Sequence, residues 1–299
     1  MIFSGVLFPP EILEAIENGR LVIFAGAGVS VGPPALLPSF WKLATDLAEG
    51  TGQSPCDPLD KFIGLLPLDD HALRKKTANI IGSSTRHTPL HTGLLRTFSC
   101  VEQVKVVTTN FDTLFECAST QIWEKLPAVY TAPALPLGSR FEGIVHIHGA
   151  LDPVDSIVLT DSDFGRAYLT EGWARRFLVD LFEHYTVLFV GYSHDDAVLQ
   201  YLARALPDKA QGKRFSLVGA LDNPEKWFPL GVGAIEFNQS DSGDFSSLNS
   251  AVAELADFAN RKPSDWQDLI GDIASNLPDK MDIEDEATLR HALKDLSKV

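Results

Sequence analysis

The sequence predicts an α/β fold, a doubly wound parallel sheet, on three observations. Five short apolar runs recur along the 299 residues: LVIFAGAG from Leu21, VKVVTTN from Val104, GIVHIHG from Gly143, TVLFVGYS from Thr186 and RFSLVGA from Arg214. They are continuous rather than alternating, as in strands covered on both faces. Helical patterns separate them, and strand alternating with helix is the mark of a parallel sheet.

The elements follow in order. The opening MIFSGVLFPPEILEAIENGR has no basic n-region and three glutamates by Glu17, which is wrong for a signal peptide. After LVIFAGAG, Phe40, Leu43 and Leu47 share one helical face behind Pro38 and a capping Ser39. Residues 50–100 are helical or irregular with several Pro and Gly, and read as a helical insertion beside the sheet. Two weaker strand candidates are SIVLT at 156–160 and GAIEF at 233–237. Trp173, Phe177, Leu181 and Phe182 form the buried stripe of a helix before TVLFVGYS; in HDDAVLQYLARAL, Asp195 caps a helix burying Val198, Leu199 and Leu202. Residues 241–299 carry 13 acidic and 6 basic residues, with a helical stripe at Leu289, Leu293 and Leu296 and no strand to follow. The organisation expected is therefore a main domain over 1–240 and an acidic helical appendage over 241–299, an ending that would also suit a domain cut from a longer chain.

The totals exclude several classes. A net charge of -15 speaks against nucleic acid as a direct partner, because phosphate backbones are bound by clustered Lys and Arg. No apolar run reaches membrane-spanning length, so no membrane partner is expected. Cys56, Cys100 and Cys117 have no CxxC spacing, which supports neither a disulfide framework nor a zinc site and fits a reducing cytoplasmic location.

Three polar clusters stand at strand ends, where an open parallel sheet places its ligand. The first is GAGVS, Gly26 to Ser30, a glycine turn whose amides are suited to a pyrophosphate, with the Ser30 hydroxyl as a further donor. A dehydrogenase would need an acid about 20 residues on at a second strand end. Asp46 has that spacing but sits inside a helical pattern, so the dinucleotide fingerprint fails there. The second cluster is TTNFD, Thr108 to Asp112, either an Asx turn capping the next helix, a functional amide and carboxylate, or both. The third is IVHIHGALD, 144–152: His146 and His148 are two apart, which on a strand puts both on one side, but no HxxxH, CxxC or HxxE partner completes a metal set. His146 reads as a satisfied core histidine. The remaining His71, His87, His91 and His184 show no matching partners, and Trp173, Trp227 and Trp266 read as packing residues.

GAGVS, TTNFD, HGAL and GYSHDD, in this order and each after a strand, resemble the Sir2 (sirtuin) superfamily over roughly residues 20–240. The resemblance implies a Rossmann-like domain that binds NAD between the glycine turn and the strand ends. It implies Asn110 and Asp112 at the nicotinamide ribose and carboxamide, with His148 as the base. Gly26, Ala27, Gly28 and Ser30 match the phosphate-binding turn; Gly191 and Ser193, with Asp196, match the adenosine side. Pro38, Ser39 and Phe40 resemble the family's Pro-Asp-Phe-Arg loop, with Ser39 in place of the acid and Trp41 of the arginine. Thr109 stands where protein deacylases of the family have Gln, and their zinc module with two CxxC pairs is missing from the 43-residue step between His148 and Gly191, so no metal is expected. The chain is more similar to Sir2-like domains of bacterial anti-phage defence proteins, which implies an NAD hydrolase with NAD as its substrate. A protein deacylase and a non-catalytic NAD or ADP-ribose sensor are the alternatives. A homo-oligomer, and a sensor domain or partner protein that controls it, are expected by the same analogy.

Overall fold

A short antiparallel hairpin, β1 (Ile2–Phe3) and β2 (Val6–Leu7), and one helix, α1 (Pro10–Glu17), precede the central sheet. The structure, a computed structural model, describes residues 1–192, 213–239 and 245–261 together with Gln267. Within these residues the sheet has seven strands: β3 (Leu21–Ala25), β4 (Lys105–Thr108), β5 (Val129–Thr131), β6 (Gly143–His146), β7 (Thr186–Val190), β8 (Arg214–Gly219) and β9 (Gly233–Phe237). Their order is β5-β6-β4-β3-β7-β8-β9, every pair parallel. The fold is the α/β, Rossmann-like parallel sheet that the sequence predicts. All five expected runs are strands, and so is GAIEF. SIVLT is not: its Ser156 ends a short 3-10 turn (Val154–Ser156), and the rest continues as coil. The strand β5 is additional.

Absence of alternation in the strands has the expected cause. In β3, Leu21, Ile23 and Ala25 face one core while Val22 and Phe24 face the other, and every residue is buried. The first core is roofed by α1, α6 (Pro89–Leu95), α7 (Leu114–Trp123) and α10 (Ser246–Ala259), the second chiefly by α9 (Trp173–His184). Trp173 and Trp227 are packing residues in the second core. Helix α6 carries Leu90, Leu94 and Leu95 into the first core, so only α4 (Leu59–Gly64) and α5 (Asp70–Ile81) stand beside the sheet as an insertion. Helix α10 does likewise with Leu248, Val252 and Leu255, so the sheet domain runs past 240 to at least Ala259, and these residues are no appendage. The stripe at Leu289 to Leu296, Trp266 and the helix expected after Asp195 lie outside the described residues.

A third apolar cluster unites α3 (Phe40–Ala48), α4 and α5 through Leu43, Leu47, Ile63 and Leu73 with Leu159 of the segment after His148. The Ser39 hydroxyl accepts from Lys42 N–H at 3.3 Å and caps α3, and Asp46 pairs with Lys42 within that helix. A buried ion pair ties α5 to the segment after His148. The Arg74 guanidinium donates to Asp163 Oδ1 at 2.6 Å and to the Ile157 carbonyl at 3.1 Å, while Asp163 Oδ2 accepts from Leu159 and Thr160 N–H, both at 3.1 Å. Such a pair costs desolvation on formation, yet removing one partner strands the other charge. Arg74→Ala is expected to lower stability by about 3–5 kcal/mol, read as the unfolding midpoint in urea.

Candidate active site

Strand register brings the sequence clusters to one level. Ala25 is paired with Thr108 and with Val190, and Thr108 with His146. The chain beyond each pair therefore leaves the sheet side by side: Gly26, Thr109 with Asn110, Ile147 with His148, and Gly191. Strand order reverses here, since β3 continues to β4 on one side and neighbours β7 on the other, the place where open α/β sheets hold ligands.

The glycines of the first turn serve close packing. A Cβ on Gly26 would lie 2.7 Å from the Tyr192 ring, and one on Gly28 2.8 Å from Gly191 Cα. Gly191 itself has φ +77°, where a side chain is strained. The amides of the turn are engaged within the protein: Gly26 N–H donates to Val190 O (2.9 Å), Gly28 to Gly191 O (2.9 Å), Val29 to Gly26 O (3.2 Å) and Ser30 to Ala27 O (3.0 Å). Four of the turn's five amides, expected at a pyrophosphate, thus have partners within the protein.

Ser30 also departs from its expected role as a phosphate donor. Its side chain is buried and sits at the centre of a polar network. The hydroxyl donates to Asp112 Oδ2 at 3.0 Å, receives the Asn110 Nδ2 amide at 3.3 Å, and lies 3.4 Å from His91 Nε2. Asn110 Nδ2 donates as well to the Gly26 carbonyl at 3.2 Å. A carbonyl only accepts, so the amide nitrogen is fixed at that end and the Asn110 oxygen faces the opposite way. Asp112 Oδ1 accepts from Leu114 N–H at 3.1 Å, the Asx turn at the start of α7. Burial pushes the Asp112 carboxyl above its usual range, against the pull of the Leu114 and Ser30 donors and of nearby His146.

His91, for which the sequence shows no matching partner, is fully buried in this network. It occupies the N3 position of a capping box, with Nδ1 2.8 Å from Thr88 Oγ1 and 3.2 Å from Thr88 N. The T-x-x-H spacing of 88–91 is the sequence signal for it. Burial, aided by the neighbouring His87, lowers its pKa to about 3.

The two histidines of IVHIHGALD part company. Strand β6 ends at His146, so period-2 alternation does not extend to His148, and the two have different partners. His146 is a satisfied core residue: Nδ1 donates to the Asn110 carbonyl at 3.1 Å, and Nε2 meets Glu116 Oε1 at 2.7 Å. Burial works against its charged form, but Glu116 outweighs it and the pKa is raised. Among the described residues no group of three or more His, Cys, Asp or Glu is arranged to hold a metal ion. His148 Nε2 lies 2.8 Å from Tyr168 Oη, and its ring meets Phe164 edge-on at 5.0 Å. Burial alone lowers its pKa to about 3, so the imidazole is neutral across the physiological range.

Asn110, Asp112, Thr109 and His148 line one inner chamber of about 70 Å³, with Phe164 and Phe40 as apolar walls. Ala27 and Phe40 also border a cleft of about 1240 Å³ that runs past Gly28, Gly191 and Tyr192. Thr109 is anchored there by a 2.8 Å bond between its hydroxyl and Tyr192 Oη, which donates to the Ala25 carbonyl at 3.0 Å. Ser193 and Asp196 lie outside the described residues.

Two buried neutral histidines have a pH consequence. Their folded pKa values of about 3 lie below 6.5, so under acid the unfolded chain binds protons first. Their stabilisation is complete above pH 6.5 and lost as the pH falls toward 3. Asp112, raised, opposes this above its ordinary 3.8, because there the folded state holds the extra proton. His146, raised by Glu116, opposes it likewise, gaining stability as the pH falls. Denaturant unfolding followed against pH is expected to show that wild type loses more stability than His148→Phe as the pH falls from 6.5 toward 3.

Residues 104–226 match the family model of the SIR2-like domain. The chain is also 27% identical over 334 aligned residues to "Uncharacterized protein y4cA" of Sinorhizobium fredii (strain NBRC 101917 / NGR234), an alignment covering 97% of this chain. It spans only 27% of that relative's length. The matched segment holds β4, β6 and β7, the Asn110 and His148 turns and Gly191, so residues 104–226 match a SIR2-like domain of the Sir2 superfamily within a Rossmann-like parallel sheet.

Proposed function

We propose that this domain hydrolyses NAD to nicotinamide and ADP-ribose. The observation that carries the reading is the shared chamber: a carboxamide from the end of β4 and a neutral imidazole from the end of β6 line one small space, which adjoins a cleft large enough for the rest of a dinucleotide. A SIR2-like domain supports a role tied to NAD, and the step to hydrolysis is ours.

The chemistry asks little of an acid, because nicotinamide in NAD is already a cationic leaving group. It departs with the electron pair of its N-glycosidic bond and leaves an oxocarbenium-like ribose. Water then adds at that carbon and its proton passes to His148, which must be neutral to receive it. The Asn110 side chain, held by its nitrogen, offers its oxygen to orient the water or a ribose hydroxyl. Asp112, behind Ser30, supports the positive charge on the sugar or holds the carboxamide. Ala27, Gly28 and Gly191 line the cleft that takes the pyrophosphate and adenosine half, with Phe40 at the junction of chamber and cleft; Ser193 and Asp196 are assigned to the adenosine side by the resemblance alone. No metal takes part in this scheme.

By the same resemblance we infer an NAD-depleting effector of antiviral, anti-phage defence, cytoplasmic and homo-oligomeric, restrained by a sensor domain or partner protein. The test is direct: purified protein with NAD, nicotinamide and ADP-ribose separated by chromatography, and size measured on a column. Asn110→Ala and His148→Ala are each expected to cut NAD loss by at least about 100-fold while the protein stays folded at the assay temperature, checked by circular dichroism. Wild-type turnover in both variants would overturn the assignment. Nicotinamide release only with an acetyl-lysine peptide would favour deacylation, and tight NAD binding without products a sensor.

A further inference from the structure

Tyr168 belongs to no sequence cluster, yet its phenol oxygen is the partner of His148. It sits in a π-helical turn, Arg166–Thr170, that follows the short helix α8 (Asp161–Gly165). Wide turns of this kind re-aim side chains. Here the turn puts Tyr168 Oη 2.8 Å from His148 Nε2, with the Tyr168 ring stacked on Phe164 at 6.1 Å and 12°. Phe164 in turn meets the imidazole edge-on, so the three rings fix one another. His148 and Phe164 line the chamber, whereas Tyr168 lies behind them.

We propose that Tyr168 is a positioning residue for His148: its oxygen accepts the Nε2 proton and so presents Nδ1, bare, to the chamber as the nitrogen that takes the proton. Two arguments support this assignment, which rests on the hydrolase reading above. A neutral imidazole carries one proton, and Nε2 is engaged by Tyr168, which is not among the residues lining the chamber, so a base at this site has to use the other nitrogen. Once Nδ1 is protonated, the buried imidazolium needs an acceptor, and the Tyr168 oxygen already stands at hydrogen-bond distance from its Nε2. A hydrogen bond to a charged group contributes more than one to a neutral group, so Tyr168 stabilises the protonated base more than the resting one.

Tyr168→Phe keeps the ring and its stacking and removes only the oxygen. NAD turnover is expected to fall about 10- to 100-fold with KM changed less than about two-fold. The acid limb of kcat/KM should move to lower pH, since the imidazolium has lost its acceptor; a purely structural role would leave that limb in place. A second measurement needs no NAD: nitrogen NMR of labelled wild type at neutral pH should show the His148 proton on Nε2, and in Tyr168→Phe a mixture of the two tautomers. Wild-type turnover with an unmoved pH profile in Tyr168→Phe, or a wild-type proton found on Nδ1, would sink the proposal. If wild type leaves NAD intact while the NMR result holds, the hydrolase reading fails and the Tyr168 pairing stands.

Discussion

Everything at the rim of this sheet depends on how closely two turns can approach. The chain leaving β3 at Gly26 and the chain leaving β7 at Gly191 touch backbone to backbone, with Gly28 packed against Gly191. Any Cβ at these glycines would push the turns apart by roughly the width of a methyl group. Because the strands are in register, such a shift would be felt at once by Ser30, one turn beyond Gly26, and by Tyr192, next to Gly191. Tyr192 holds Thr109, and Ser30 holds Asn110 and Asp112. Glycine packing is thus upstream of the polar geometry, with the sheet setting the level at which it acts.

The Ser30 hydroxyl then turns packing into chemistry. It donates once, to Asp112, and receives the Asn110 amide, so the two side chains are oriented by one oxygen with little freedom. Below it, His146 fixes the Asn110 main chain through its carbonyl. Both faces of Asn110 are therefore anchored, and its remaining oxygen is set by elimination. A buried network of this kind specifies one geometry only if its members find partners, and these do.

Legibility in the sequence followed the physics of each element. Continuous apolar runs announced β3, β4, β6, β7 and β8, since burial on both faces leaves no other pattern. Strand β5 was silent: three residues, Val129 to Thr131, none of them buried, carry no apolar signal. SIVLT carried the signal without the pairing, because Val158 N–H bonds the His148 carbonyl and the Arg74 guanidinium takes the Ile157 carbonyl. Asn110, Asp112 and His148 were visible as polar residues at strand ends, and strand-end position is what makes them neighbours. His91 and Tyr168 were not, for both act from helices whose placement is tertiary. A T-x-x-H cap hinted at the first; nothing local marks a π turn. The glycine turn is legible as a place of close backbone approach, while its partner Gly191 is set by the sheet order and not by any local signal.

The charge of the chamber adds a constraint of its own. Burial keeps His148 and His91 neutral, and His146 is matched by Glu116, so Asp112 is the one acid among the chamber's lining residues. Its pKa is raised because little nearby favours its charge enough to offset burial. A cationic group entering the chamber would reverse that balance, drawing Asp112 toward ionisation and gaining a counter-charge in a region of low dielectric. A neutral or anionic ligand would gain nothing comparable. The site is therefore matched to ligands that bring positive charge to its inner end.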